Sequence, residues 1–278
     1  MSSSTSTGPG STAAGSTGPR STGPRTSGPT ELLLVRHGES VANIAASAAE
    51  AEGAHDIAVD RRDPDVVLSP AGREQARALG RWLAAGNAPV AAWSSPYLRA
   101  SSTAQLAFEE AGLDLAPRLD ERLRDRDLGI ADRLTTAGFR ARFPEEAARR
   151  DWLGKFYYRP PGGESWTDLA QRVRSFLDHL DTVAPTGPVA LFCHDAVVLI
   201  IRSVCEGLTE RELLDIGRAT PVANASVTRL VRDGDAWTLE RFNETAHLEE
   251  SSAPVTRHDT GEDTPVDSGD DPRGRTDS

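Results

Sequence analysis

The chain predicts an α/β fold, and three observations carry that expectation. Short apolar runs at 32–35, 88–94 and 188–193 are bounded by polar residues and read as buried strands. Segments with helical spacing of apolar residues follow them, as in Ala76, Leu79 and Leu83 or in Leu169, Val173, Phe176, Leu177 and Leu180. Two of the strands end in a histidine where a helix starts: Val35-Arg36-His37-Gly38 and Cys193-His194-Asp195. In open α/β sheets the carboxyl ends of the strands are where ligands bind.

A chain of 278 residues suits one large domain or two small ones. Lys and Arg number 31 against 42 Asp and Glu, a formal net charge of -11. So acidic a chain is a poor candidate for nucleic acid or an anionic membrane, and neither is expected as a partner. Any anion site must be a local cationic pocket. Cys193 and Cys205 sit in apolar contexts and read as buried thiols, not a disulfide scaffold. No charged start is followed by an apolar run in the manner of a signal peptide. The longest apolar run, 196–201, is far too short to span a bilayer. A soluble cytoplasmic protein is the expectation.

Residues 1–30 are almost wholly Ser, Thr, Gly, Pro and Ala, and read as a disordered tail. The domain is expected over 31–248. Its first strand carries Arg36 and His37, and Gly38 lets backbone approach a ligand closely. The Ala-rich stretch 41–52 reads as a helix whose N-terminus offers unpaired N–H groups to an anion. A charged loop, 53–64, follows. Ser69-Pro70 opens a helix, Ser as cap and Pro in the first turn. After the strand 88–94, Ser95-Pro96 is expected to start another helix, with Arg99 in its first turn. A cation there opposes the helix macrodipole, which makes sense if it faces an anion. Residues 113–119 read as a short third strand running into the charged stretch 120–129. A helix is expected over 136–150, then a basic aromatic patch, Lys155 to Arg159, and a Pro-Gly loop, 160–165. Helices are expected over 165–182 and 197–206, the latter ended by Gly207. Residues 222–231 and 236–242 alternate about Asp233-Gly234 and read as a hairpin, whose edge is where a second copy could pair. Residues 249–278 are rich in Asp, Glu, Pro, Ser and Thr and read as an acidic disordered tail.

One arginine and one imidazole side by side at a strand end point to phosphate chemistry on a histidine nucleophile. At this point the chain resembles the histidine phosphatase superfamily, also called the phosphoglycerate mutase-like family, and its mutase-like branch in particular. The matching pieces, in family order, are Leu34-Val35-Arg36-His37-Gly38-Glu39-Ser40 with Asn43; Ser69-Pro70-Ala71-Gly72-Arg73-Glu74-Gln75-Ala76; Ser94-Ser95-Pro96-Tyr97-Leu98-Arg99-Ala100 with Thr103-Ala104; Leu123-Arg124-Asp125 with Gly129; Gly162-Gly163-Glu164-Ser165; His194 with Arg202; and Asn224-Ala225-Ser226. Each piece alone is weak, and the ordered set is specific.

The resemblance implies a single-domain, three-layer α/β/α fold with a mostly parallel central sheet. It implies that His37 is the nucleophile and becomes phosphohistidine, with Arg36, Arg99 and His194 around the phosphoryl group and Asn43 adding a hydrogen bond. Guanidiniums in fixed positions suit a transition state whose charge spreads over equatorial oxygens. No metal or other cofactor is implied.

Three departures from the family pattern bear on function. The usual proton-donor glutamate is replaced by Asp125, four residues before Gly129. It is the preferred general acid here, with Glu121 as the alternative. Asp195 follows His194 where the mutase-like branch commonly has glycine, and is a third candidate. Arg133 stands where a second glycine is usual. Glu164, Lys155 and Arg159 are further candidates for substrate contacts. The expected function is a metal-independent phosphomonoester hydrolase acting on a small phosphorylated metabolite. The alternatives are phosphoglycerate mutase-type transfer on the same site, which would need 2,3-bisphosphoglycerate priming, and a non-catalytic phosphate-binding or scaffold protein.

Overall fold

The computed structural model describes residues 28–258. Among these residues six strands form one sheet: β1 (Pro29–Arg36), β2 (Ala91–Ser94), β3 (Arg118–Leu119), β4 (Gly187–Cys193), β5 (Val227–Asp233) and β6 (Ala236–Glu244), in the order β3-β2-β4-β1-β5-β6. β1 to β4 run parallel, while β5 is antiparallel to β1 and β6 to β5. The helices are α1 (Val41–Glu52), α2 (Pro70–Trp82), α3 (Leu98–Ala111), α4 (Thr136–Arg142), α5 (Pro144–Leu153), α6 (Trp166–Val183), α7 (Asp195–Glu206), α8 (Glu210–Ala219) and α9 (Ala246–Glu250).

The central strands are apolar at nearly every position because both faces of the sheet are covered. Successive side chains point to opposite faces. Leu32, Leu34, Val189 and Leu191 pack with Leu169, Val173 and Phe176 of α6 and Val197 and Ile201 of α7. Leu33, Val35, Ala190 and Phe192 pack with Leu79 of α2 and Ala104 and Phe108 of α3. The fold is therefore the three-layer α/β/α sandwich that the resemblance implied. Each such buried Leu or Phe contributes about 1.5–3 kcal/mol over an exposed one.

Local signals set the helix ends. Ser40 and Asn43 form a capping box on α1, and Ser165 and Asp168 another on α6. Ser69 caps α2 with Pro70 in the first turn, as the sequence indicated. Five expectations are corrected. The helix expected over 136–150 is two helices that break at Phe143-Pro144, since proline lacks an N–H and drives the preceding residue out of helical backbone. The strand expected over 113–119 shrinks to two residues at the sheet edge, where Pro117 cannot donate to a ladder. The helix after Ser95-Pro96 starts only at Leu98, and that after His194 already at Asp195. The hairpin is present, but its first strand begins at Val227, and 222–226 instead form a loop toward the carboxyl edge.

α8 was not anticipated, although Thr209 and Glu212 make a capping box ahead of it. Residues 249–258, assigned to the acidic tail, pack on the domain: Ala253 is buried with Ala78, Ala225 and Leu248. Residues 1–27 and 259–278, the rest of both expected tails, lie outside the described residues. Among the described residues no helix is long and apolar enough to cross a membrane.

Candidate active site

The parallel pairing of β1 with β4 decides the site. Their register aligns Arg36 with Cys193, so the next residue on each strand, His37 and His194, emerges at the same edge. The two rings lie 5.1 Å apart, inclined at 63°. The His37 N–H donates to Cys193 O at 3.0 Å. Helix α2 packs directly on the loop after His37. A Cβ on Gly72 would come within 2.0 Å of Glu39 O, so only glycine allows that approach.

Elementary donor and acceptor rules fix the state of His37. Its Nδ1 is 2.8 Å from Gly38 O, a carbonyl that can only accept, so Nδ1 carries the proton and Nε2 the lone pair. Burial, with Arg99, His194 and Arg36 adding to it, holds the imidazole well below its usual pKa. It is therefore neutral at physiological pH, as a nucleophile must be.

Arg36 is 2% exposed and donates from Nη1 to Val222 O. Its buried Nε has no acceptor among the described residues. Arg99 is also buried. Its Nη1 donates to Asp63 O and Oδ1, both at 2.8 Å, and its Nη2 to Asp125 Oδ2 at 2.9 Å. Its guanidinium stands 5.0 Å from the Tyr97 ring centre. His194 is fully buried, with Nε2 2.9 Å from Ser95 Oγ and Nδ1 3.2 Å from Asp125 Oδ2, in ion-pair range but off hydrogen-bond alignment. Burial outweighs the neighbouring carboxylate and keeps His194 below its usual pKa. For Asp125 the balance is reversed. Burial would raise its pKa, but His194, Arg99 and His37 together hold it well below the carboxylate range. Burial first, then Asp63 and Asp125, push the Tyr97 phenol up to about 12, so it remains a donor.

Tyr97 and Asp125 connect this cluster to a cavity of about 560 Å³, whose lining does not include Arg36, His37, Arg99 or His194 themselves. Its lining includes Asp63, Tyr97, Asp125, Asp195, Arg133 and Lys155. Lys155 lies 5.1 Å over the Trp166 ring. Among the described residues no group of three or more His, Cys, Asp or Glu side chains is placed to hold a metal ion.

The structure brings Arg36, His37, Arg99, Asp125 and His194 together, with Asp195 and Lys155 on the cavity wall. It does not bring three other candidates into the site. Glu121 is exposed on a single 3-10 turn and does not line the cavity. Glu164 is held by Arg124 and Arg172, with Arg172 Nη2 at 3.0 Å, and braces the loop at 124–127. Arg159 faces outward, paired with Asp168. Asn43 stands between: its Oδ1 is taken by the Ser40 N–H at 3.0 Å and approached by Asn224 Nδ2 at 3.4 Å.

Sequence reasoning missed Asp63, which lay in a charged loop without a pattern, and Ser95, which was assigned to a helix cap. Gln75, Thr103 and Asn224 belonged to recognised motifs but had no role. All three hold the nucleophile loop: Gln75 Oε1 accepts the Glu39 N–H at 2.8 Å, Thr103 Oγ1 the Gly38 N–H at 2.9 Å, and Asn224 Nδ2 donates to His37 O at 3.1 Å.

The fold and this edge define an α/β protein with paired histidines and buried arginines at the carboxyl ends of parallel strands. The model of the histidine phosphatase superfamily, branch 1, matches residues 32–245, and the chain belongs to that family of enzymes. A 2,3-bisphosphoglycerate-dependent phosphoglycerate mutase of Methylobacterium radiotolerans is 34% identical over 197 residues, covering 69% of this chain and 86% of that protein. The structure of a mycobacterial glucosyl-3-phosphoglycerate phosphatase with VO3 has a TM-score of 0.63 and 28% identity, covering 78% of this chain and 100% of that one. The same enzyme with inorganic phosphate has a TM-score of 0.62, at 28% identity and coverage of 78% and 99%.

Proposed function

We propose that the protein is a metal-independent phosphomonoester hydrolase that works through a phosphohistidine on His37 and acts on a small phosphorylated metabolite. The observation that carries this reading is the lone pair on His37 Nε2, fixed by the Nδ1 contact to Gly38 O, beside Arg36, Arg99 and His194.

Nε2 attacks phosphorus in line while the bond to the leaving oxygen breaks. Arg36, whose Nε has no acceptor among the described residues, and Arg99 donate to the equatorial oxygens, where charge accumulates. Asp125 delivers a proton to the leaving oxygen. In the free enzyme its carboxyl is ionised, so the proton arrives with the substrate, whose negative charge offsets the arginines and raises the Asp125 pKa. Water then attacks the phosphohistidine and gives its proton back to Asp125. The P–N bond breaks, Nε2 recovers its lone pair, and phosphate leaves. Two moderate barriers replace one high one.

A mutase reading is favoured by the 34% identical phosphoglycerate mutase. It would require the phosphohistidine to be kept from water long enough to return its phosphoryl group. Against the scaffold reading stand the 5.1 Å separation of the two histidine rings and the Asp125 carboxylate shared by Arg99 and His194.

The test is phosphate release in the presence of chelator from p-nitrophenyl phosphate, sugar phosphates and 3-phosphoglycerate, the last with and without 2,3-bisphosphoglycerate. Release is the expected result. Interconversion of phosphoglycerates with little release would make the protein a mutase, and silence on every compound would refute both readings.

A further inference from the structure

Residues 253–258 run back across the domain to the nucleophile loop, with His258 also on the cavity wall, and three hydrogen-bonded links join them to that loop. Thr256 accepts at Oγ1 from Gln75 Nε2 at 2.9 Å and donates from Oγ1 to Asn224 Oδ1 at 3.2 Å. Gln75 and Asn224 are the amides that hold Glu39 N and His37 O. One hydroxyl therefore ties together the two clamps on His37 O and Glu39 N, either side of Gly38. The main chain repeats the link: Gln75 Nε2 also donates to Pro254 O at 2.8 Å, and the Asn224 N–H to Thr256 O at 3.0 Å.

The third link is His258. Glu39, two residues beyond the nucleophile, is 6% exposed, and its carboxylate accepts from Ser69 Oγ at 2.6 Å and from His258 Nε2 at 3.0 Å. A carboxylate only accepts, so Nε2 carries a proton, and Nδ1 lies 2.6 Å from Ser47 Oγ. Without His258 the buried Glu39 carboxylate would keep one hydroxyl partner, a costly state for a desolvated charge.

We propose that Thr256 and His258 are positioning residues for His37, so that the segment 253–258 is part of the catalytic apparatus. The inference rests on the phosphohistidine reading above and adds to it a dependence on a C-terminal strap. Neither side chain touches the reacting atoms. Both act by fixing the backbone from which the imidazole projects.

The test uses the full chain with Thr256→Val, Thr256→Ser and His258→Ala, read by steady-state kinetics on p-nitrophenyl phosphate and by hydrogen exchange at the Glu39 amide. In Thr256→Val and His258→Ala, kcat should fall about tenfold or more with KM within about twofold, because small misplacements of a reacting group are costly in rate. Protection of the Glu39 amide should fall in parallel, and Thr256→Ser should recover both. Unchanged kcat in both variants overturns the proposal, and so does lost protection with kcat intact, since the strap would then stabilise without positioning. If the wild-type protein releases no phosphate, the hydrolase reading fails by itself. The positioning role, which rests on that reading, then falls with it, whereas active wild-type protein with unchanged variants sinks the strap proposal alone.

Discussion

Asp125→Asn separates the proton donor from the phosphoryl pocket. Asp125 Oδ1 accepts the Arg126 N–H at 2.9 Å, a bond that asparagine can keep. Its Oδ2 meets Arg99 Nη2 at 2.9 Å and lies 3.2 Å from His194 Nδ1. The substitution removes a transferable proton and also a negative charge beside the Arg99 guanidinium and the His194 ring. The lost charge acts on the phosphoryl end, which every substrate shares, so it cancels in a ratio of substrates. The lost proton acts on the leaving group, which differs. A positioned acid contributes about 10²–10⁴-fold when the leaving oxygen needs protonation. An alkyl phosphate such as 3-phosphoglycerate should lose most of that factor, whereas p-nitrophenolate departs without a proton. The ratio of kcat/KM for p-nitrophenyl phosphate to that for the alkyl ester should therefore rise by about 10²-fold or more. Phosphate release at neutral pH gives both numbers. Equal loss on the two esters would refute Asp125 as the acid and move the role to Asp195, which also lines the cavity.

Other consequences follow from the same geometry. Asp63 shares Arg99 with the site and is 42% exposed, so its ion pair is worth about 1 kcal/mol at most. Asp63→Ala should tighten competitive inhibition by inorganic phosphate by up to about fivefold, and weaker inhibition would mean that Asp63 orients Arg99 instead of competing with the anion. Arg99→Ala should cost about 3 kcal/mol in kcat/KM, and an unchanged value would remove Arg99 from the reaction. Burial holds the His247 imidazole down to about 4, and its Nε2 donates to Ala225 O at 3.0 Å. The unfolded chain takes up this proton near pH 6.5 and the native one does not, so the stability it contributes is present above that pH and falls as pH drops toward 4. His247 alone should cost about 2 kcal/mol of unfolding free energy between pH 7 and pH 5, and His247→Gln should remove that part of the slope in urea titrations. Gly72→Ala would drive a Cβ into Glu39 O, and should lower both thermal stability and kcat. An unperturbed Gly72→Ala protein would show that the contact can relax.

The parts of this structure that follow short-range rules were legible in the sequence. Apolar runs marked the buried strands 32–35 and 188–193, and the Ser69-Pro70 pair marked the start of α2. The two strand–His–helix junctions located His37 and His194, and the β1–β4 register made them neighbours. What pattern could not give was the company each charge keeps. In the run 120–129, Asp125 turns inward and Glu121 stays in solvent, and only the path of the loop decides between them. Glu164 and Arg159 looked like substrate contacts because their partners, Arg172 and Asp168, lie on a helix whose approach the local sequence does not encode. Asp63 reaches Arg99 across 36 positions of chain. Composition also misled at 249–258, where a polar stretch orders itself by hydrogen bonds to a preformed surface together with the burial of Ala253.

The most direct measurement is a rapid alkaline quench of the enzyme turning over ³²P-labelled p-nitrophenyl phosphate, followed by peptide mapping, with His37→Ala in parallel. The account predicts an acid-labile label on the peptide containing His37, formed fast enough to support turnover, and neither label nor turnover in the variant. Turnover without label, or label on another residue, would contradict it.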